Sequence, residues 1–172
     1  MYTASPVMLK LTQASTPDAA SIAELAEKIW RVHYPPIIGA EQVEYMLSIM
    51  YSAKSIAEQI SNGQSFWFID HSGSRLGYLS FSLPSRNELF IHKFYIDPAN
   101  QGKGIGKETF AKLIEMNPEV SRIRLTVNRK NYKSINFYFR LGFVIEEVKD
   151  FDIGGGYYMQ DFVMIWSRQV KK

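Results

Sequence analysis

The chain has 172 residues, of which 46% are hydrophobic, 22% charged and 14% aromatic, with a formal net charge of +3. That is the size of one ordinary domain with the balance of a globular chain, and it argues against disorder, fibrous repeats or a strongly charged tail. There is no cysteine, and His33, His71 and His92 show no ligand spacing, so disulfides, a thiolate nucleophile and a Cys-ligated zinc site are excluded and no metal is expected.

The N-terminal MYTASPVMLK has neither the charged n-region nor the apolar h-region of a signal peptide, and no stretch approaches the ~20 apolar residues of a membrane span. The expectation is a cytoplasmic protein without membrane contact. Alternation from Met8 to Gln13 predicts a strand. Thr16-Pro17-Asp18 then supplies a cap, a proline at the first helical position and an early negative charge. Ile22, Leu25, Ala26, Ile29 and Trp30 recur at helical spacing, and Tyr34-Pro35-Pro36 should end this helix, because the residue before proline is pushed out of helical geometry. A second helical region runs from Glu41 to Asn62, breaking near Tyr51-Ser52 and stopping at Asn62-Gly63.

Ser65 to Asp70, Leu76 to Leu83 and Leu89 to Ile96 read as three strands of an antiparallel meander, separated by His71-Ser72-Gly73-Ser74 and Pro84-Ser85-Arg86-Asn87. After Asp97-Pro98 and a glycine-rich turn, Phe110, Ala111, Leu113 and Ile114 form one helical face before Asn117-Pro118. A strand, Arg122 to Val127, and a helix, Asn131 to Leu141, closed by Gly142, follow. Two strands, Phe143 to Asp150 and Tyr158 to Trp166, flank Ile153-Gly154-Gly155-Gly156. The order βααβββαβαββ, without repeat or linker, predicts one α/β domain over residues 1–172 with a mixed sheet.

Chemistry concentrates at Gln101-Gly102-Lys103-Gly104-Ile105-Gly106-Lys107, a strand-to-helix turn. Glycine lets the backbone approach phosphate oxygens, and the first helical turn adds unpaired N–H donors and a partial positive charge. A P-loop would need glycine at position 101 and Ser or Thr at 108, where Gln101 and Glu108 stand. A Rossmann turn would need a third glycine at 107, where Lys107 stands, after a βαβ start rather than a meander. Lys103, Lys107, Arg122, Arg124, Arg129, Lys130 and Lys133 gather in the second half of the chain, which suits an anionic small ligand as well as nucleic acid.

Downstream stands Asn131-Tyr132-Lys133-Ser134-Ile135-Asn136-Phe137-Tyr138-Phe139-Arg140-Leu141-Gly142-Phe143. Together, Gln101-x-x-Gly104-x-Gly106 and Asn131-x-x-Ser134-x-x-x-Tyr138-x-x-x-Gly142-Phe143 resemble the acetyl-CoA signature of the GNAT superfamily of N-acetyltransferases, in order and separation. The resemblance implies a largely antiparallel mixed sheet of about seven strands flanked by four or five helices. It implies that Gln101, Gly102, Lys103, Gly104, Ile105, Gly106 and Lys107 bind the CoA pyrophosphate, mostly through backbone amides. The main chain of Phe94, Tyr95 and Ile96 would hydrogen-bond the pantetheine arm on a strand that splays from its neighbour. Asn131 and Ser134 match positions beside that arm, Ser134 standing where alanine is commoner. Tyr138 matches the tyrosine near the thioester sulfur and is the candidate general acid.

The implied reaction is acetyl transfer from acetyl-CoA to a primary amine of a small molecule or peptide by direct attack, with no acyl-enzyme. The proton sink is His92, Glu88 or water, since Glu88 and His92 share a strand face and an imidazole is the side chain whose ordinary range lies nearest neutrality. The resemblance walls the acceptor groove with Trp30, Tyr34, Ile37, Tyr45, Phe151, Tyr157 and Tyr158, whose rings can hold an amine by cation–π contact. Glu41, Glu44, Asp152 and Asp161 are candidate anionic partners, and the Trp30-to-Tyr51 segment resembles polyamine acetyltransferases of the superfamily. A CoA-binding sensor without turnover is the alternative. A nucleic-acid partner is not expected, because Arg122 and Arg124 share one strand face without a recognisable binding motif. A homodimer through Phe162 and Trp166 is a further expectation.

Overall fold

A computed structural model describes residues 9–169, so Met8, where the first strand was expected to start, lies outside the described residues. The elements are β1 (Leu9–Ala14), α1 (Ala19–His33), α2 (Pro35–Ile38), α3 (Ala40–Met50), α4 (Ala53–Ser61), β2 (Ser65–His71), β3 (Ser74–Ser85), β4 (Glu88–Ile96), α5 (Ile105–Met116), β5 (Arg122–Asn128), α6 (Tyr132–Leu141), β6 (Val144–Gly154) and β7 (Tyr157–Ser167). The strands form one seven-stranded sheet in the order β1-β2-β3-β4-β5-β7-β6. β4 and β5 run parallel, while β1–β2, β5–β7 and β6–β7 are antiparallel. The sheet is therefore mixed, as the element order predicts.

Six α-helices stand among the described residues where four or five were expected, and both differences have local causes. Ser52 caps α4 by accepting from the Ser55 N–H at 3.2 Å, splitting the second helical region at the expected break. Tyr34-Pro35-Pro36 does not end helical geometry. Tyr34 keeps right-handed angles (φ −90°, ψ −24°), donates its N–H to Trp30 O at 3.0 Å and stacks on the Trp30 ring at 4.0 Å. The two prolines then open α2, at positions whose N–H groups need no partner. The cap of the first helical segment also falls one residue earlier than expected. Asp18 accepts from both the N–H and the hydroxyl of Ser15, at 2.8 and 2.9 Å, ahead of a short 3-10 turn.

The contacts divide the chain into two compact units. Among the described residues, one holds 9–80 together with Lys93–Met116, and the other holds Phe81–His92 and 117–169. In the first, Leu9, Ile69 and Leu76 from the strands and Ile105 from α5 make a buried cluster, with Phe94, Ile96 and Leu11 packed against it. α1 turns Ile22, Ala26, Ile29 and Trp30 inward, at helical spacing. In the second, β5 buries Ile123, Leu125 and Val127 on alternate positions, and α6 buries Ile135 and Tyr138. Gly142, left-handed at φ 95°, ends α6 and lies 3.6 Å from the Trp166 ring for an added Cβ.

Candidate active site

The first unit carries the strand, turn and helix that the sequence singles out. Phe94 and Ile96 turn their side chains into the core cluster that includes Ile105 of α5. Pairing of β4 with β5 runs from Glu88↔Arg122 to Ile91↔Leu125 and ends there, although β4 continues to Ile96. The turn is braced from below: Asp97 accepts from Ala99 N at 3.1 Å and from Lys28 Nζ at 2.5 Å. The Lys28 ammonium holds the Asp97 carboxyl below its usual range.

Gly102 and Gly104 both have positive φ (79° and 80°), and no atom lies within 4 Å of a Cβ placed on either. The turn therefore needs glycine for its backbone angles and leaves open space above them. The Glu108 N–H makes the first helical bond, to Gly104 O at 3.1 Å, so the amides of Ile105, Gly106 and Lys107 precede the ladder. Ile105 is buried, while Lys103 and Lys107 are exposed. The turn's geometry fits an anion cradled by backbone amides. The Gln101 side chain ties the turn to β4, its Nε2 donating to Ile96 O at 3.0 Å.

An aromatic cluster fills the same unit. Trp30 contacts Tyr34, Tyr51 and Tyr95, with ring centroids 4.0, 4.6 and 5.8 Å away, and Tyr78 meets Tyr95 at 5.4 Å. The Tyr51 and Tyr95 hydroxyls are 2.9 Å apart. Trp30, expected as an acceptor wall, is only 2% exposed and is a core residue of this cluster, whereas Tyr34 is half-buried at its rim. Lys93, which the sequence reading passed over, is 8% exposed. It continues the buried alternation of Leu89 and Ile91 on β4 as a charged residue on the inward face. Burial lowers its pKa to about 8.

In the second unit, Tyr138 is buried on α6 and contacts the Phe143 ring at 5.5 Å. Burial pushes its phenol well above the ordinary range. Asn131 caps α6, its Oδ1 accepting from Ser134 N at 3.3 Å, so Asn131 and Ser134 form one turn. His92 is exposed, with Nε2 2.7 Å from Ser82 Oγ. Glu88 is not a free carboxylate: Arg122 and Arg124 lie 2.9 and 3.2 Å from its Oε1. Tyr157 and Tyr158 sit at the β6–β7 hairpin, half-buried and exposed. Phe162 and Trp166, expected at an exposed dimer face, are half-buried.

Of the candidate acids, Glu44 pairs with Arg31 and Asp152 accepts from Gly154 N at 2.9 Å. Asp161 is 5% exposed, and burial pushes its carboxyl up to about 6 against the lowering effect of Thr126 and Arg129. A raised folded pKa means that the protonated form is favoured by folding. Its contribution is complete below the unfolded value of about 3.9 and is lost as pH rises through about 6. Asp161→Asn is expected to flatten the Tm–pH curve across that window and to stabilise the protein at neutral pH by roughly 1–3 kcal/mol. Parallel curves for the two proteins would refute this.

Residues 21–143 match the sequence model of the Acetyltransferase (GNAT) family. The chain is 24% identical over 151 residues to the spermidine N(1)-acetyltransferase of Thermoplasma acidophilum, covering 84% of this chain and 93% of that one. The crystal structure of the PaiA N-acetyltransferase of Thermoplasma acidophilum with coenzyme A superposes with a TM-score of 0.72 at 23% identity, over 94% of this chain and 99% of that one. A GCN5-related N-acetyltransferase of Rhodopseudomonas palustris gives 0.76 at 19% identity, over 98% and 99%. With the family matched over most of its length, on a seven-stranded mixed sheet carrying the glycine turn, the chain belongs to the GNAT family of acyl-CoA-dependent N-acetyltransferases.

Proposed function

We propose that the protein transfers the acetyl group of acetyl-CoA to a primary amine of a small molecule or peptide by direct attack. The observation that carries this reading is the turn from Gln101 to Gly106, whose two left-handed glycines open onto the unladdered amides of α5. The amides of Gly102 to Lys107 receive the pyrophosphate, with Lys103 and Lys107 adding charge at its edge. The main chain of Phe94, Tyr95 and Ile96 holds the pantetheine arm, and the Asn131–Ser134 turn supports it. That relatives named as spermidine or spermine acetyltransferases appear among the similar proteins supports a small amine as acceptor.

Acetyl-CoA supplies an activated acyl group whose thiolate can leave. An alkylammonium with a pKa of about 10.4 must first lose a proton, at a cost of roughly 4–5 kcal/mol near neutrality. His92 takes that proton directly or through water, its ring aligned by Ser82. Glu88, engaged by Arg122 and Arg124, orients polar groups rather than accepting the proton. The amine nitrogen bonds to the carbonyl carbon and the C–S bond breaks. Tyr138, kept neutral by burial, gives its proton to the departing sulfur. Tyr34 and Tyr157, both half-buried, offer aromatic surface to the acceptor, while Trp30 supports Tyr34 from the core.

The test is thiol release from acetyl-CoA over a panel of amines: polyamines, amino acids, lysine and N-terminal peptides, and aminoglycosides. Amine-dependent release is expected with at least one class. Tight acetyl-CoA binding with no release for any of them would favour a CoA sensor instead.

A further inference from the structure

β6 is the last strand of the sheet, with β7 on one side of it and no strand on the other among the described residues. Every residue from Val144 to Asp150 is exposed. Two apolar rows cross the sheet and run out onto this edge. Val127 of β5 stands opposite Phe162 of β7, which stands opposite Val148; Leu125 stands opposite Met164, which stands opposite Ile145. Directly opposed residues share a face, so each row is continuous. It begins at a buried residue, Val127 or Leu125, and ends at Val148, 56% exposed, or Ile145, 40% exposed. An edge strand presents unpaired N–H and C=O groups on alternate residues, and one that also carries exposed apolar side chains is a template for a further strand.

Charges ordinarily guard an edge against pairing, but those of β6 are complementary to themselves. The run is Glu146-Glu147-Val148-Lys149-Asp150. When two copies pair antiparallel about a two-fold axis at Val148, Val148 meets its own counterpart and Glu147 of each chain lies opposite Lys149 of the other. Among the described residues, neither Glu147 nor Lys149 forms an ion pair within its own chain. Glu146 then lies opposite Asp150, and this like-charged pair is already compensated: Arg124 donates to Glu146 at 2.7 and 2.9 Å, and Arg129 to Asp150 at 2.6 Å. Neighbouring registers fail. A slip of one residue sets Val148 against Glu147 or Lys149, and a slip of two sets Glu147 or Lys149 against itself. The register shift of the β6–β7 pairing falls between Ile145 and Glu147, so Glu147 to Asp150 is regular strand.

We propose that β6 is a homodimer interface, in which the β6 strands of two copies pair antiparallel about Val148 and join the two sheets edge to edge. The occupant is a second copy of this chain rather than an extended peptide of other sequence, because the charge pattern matches itself. The row Val127–Phe162–Val148 then continues through Val148, Phe162 and Val127 of the second copy. Val148 loses its exposure and the free edge is closed. The interface is the exposed strand β6, whereas the half-buried Phe162 and Trp166 lie on β7, behind it.

The experiment measures mass by sedimentation velocity on the full chain, over about 1–100 μM protein. A species of twice the 19.8 kDa chain mass is expected. Glu147→Lys sets lysine against lysine at both symmetric contacts, and Lys149→Glu sets glutamate against glutamate. Each reversal is expected to raise the dimer Kd at least about tenfold. Mixed in equal amounts, the two variants bring opposite charges together again at both contacts, and the heterodimer should form with nearly the wild-type affinity. If either variant fails to fold, Val148→Arg takes its place: two guanidinium groups meet at the axis, and loss of the dimer supports the interface while its retention refutes it. A wild type that stays monomeric throughout, a dimer that tolerates both reversals, or a mixture that stays monomeric would each overturn the inference. None of these outcomes bears on acetyl transfer, which is read separately by thiol release.

Discussion

Tyr138→Phe is expected to lower kcat for acetyl transfer by roughly 100-fold while leaving acetyl-CoA affinity within about twofold, the range typical of losing one positioned general acid. The substitution keeps the ring that packs against Phe143 and sits in the buried face of α6, so folding should be unaffected. Burial holds the phenol neutral far above working pH, so the proton to be donated is present at every pH where the enzyme is stable. The deficit should therefore be the same at pH 6 and pH 9. A leaving group with a lower thiol pKa needs less protonation. An acetyl thioester of an acidic aromatic thiol should accordingly recover most of the lost rate in the variant. Full turnover of Tyr138→Phe with acetyl-CoA would remove the acid role and leave Tyr138 as a packing residue.

Chain order and element type were legible because each signal is local. The apolar period of α1, the glycine closing α6 and the alternation of β5 each act within a few residues. The glycine turn was legible for the same reason, since the positive φ of Gly102 and Gly104 is a demand that few other residues meet. What the sequence hid depends on partners distant in the chain. Glu88 read as a candidate substrate ligand, but Arg122 and Arg124 arrive through the parallel β4–β5 register. Trp30 read as a groove wall, but Tyr51 and Tyr95, from α3's end and from β4, enclose it. Lys93 was overlooked because a lysine on a strand is usually solvated, and only the packing of Tyr51, Gln59 and Phe66 around it makes it a buried cation. The failed stop at Tyr34-Pro35 shows one local contact, the i,i+4 stacking of Tyr34 on Trp30, overriding another local preference, the steric one before proline.

Gly77→Ala is the substitution expected to damage the ligand-binding strand most without touching a polar group. Gly77, on β3, has no left-handed angle to explain its choice; what it lacks is room. A Cβ there would lie 2.1 Å from the Tyr95 carbonyl oxygen and 3.0 Å from the Ile96 Cα. Both are backbone atoms, so no rotamer change can relieve the clash, and β3 and β4 must move apart at the residues proposed to hold the pantetheine arm. The adjoining bond from Asp97 N to Leu76 O, 2.7 Å long, would be strained by the same movement, and with it the start of the glycine turn. The expected cost is about 3 kcal/mol of stability, the upper part of the range for overpacking a filled site. For a chain of this length that corresponds to a Tm lowered by roughly 6–12 °C. Acetyl-CoA affinity, measured well below that Tm, should fall at least about tenfold, because displaced amides and carbonyls lose aligned hydrogen bonds worth about 1 kcal/mol each. Ser74→Ala, at an exposed position on the same strand, should change neither quantity appreciably. A Gly77→Ala protein of reduced Tm that still binds acetyl-CoA like the wild type would show that the Phe94–Ile96 main chain is not the pantetheine contact, since the strand would have moved and the ligand would not have felt it.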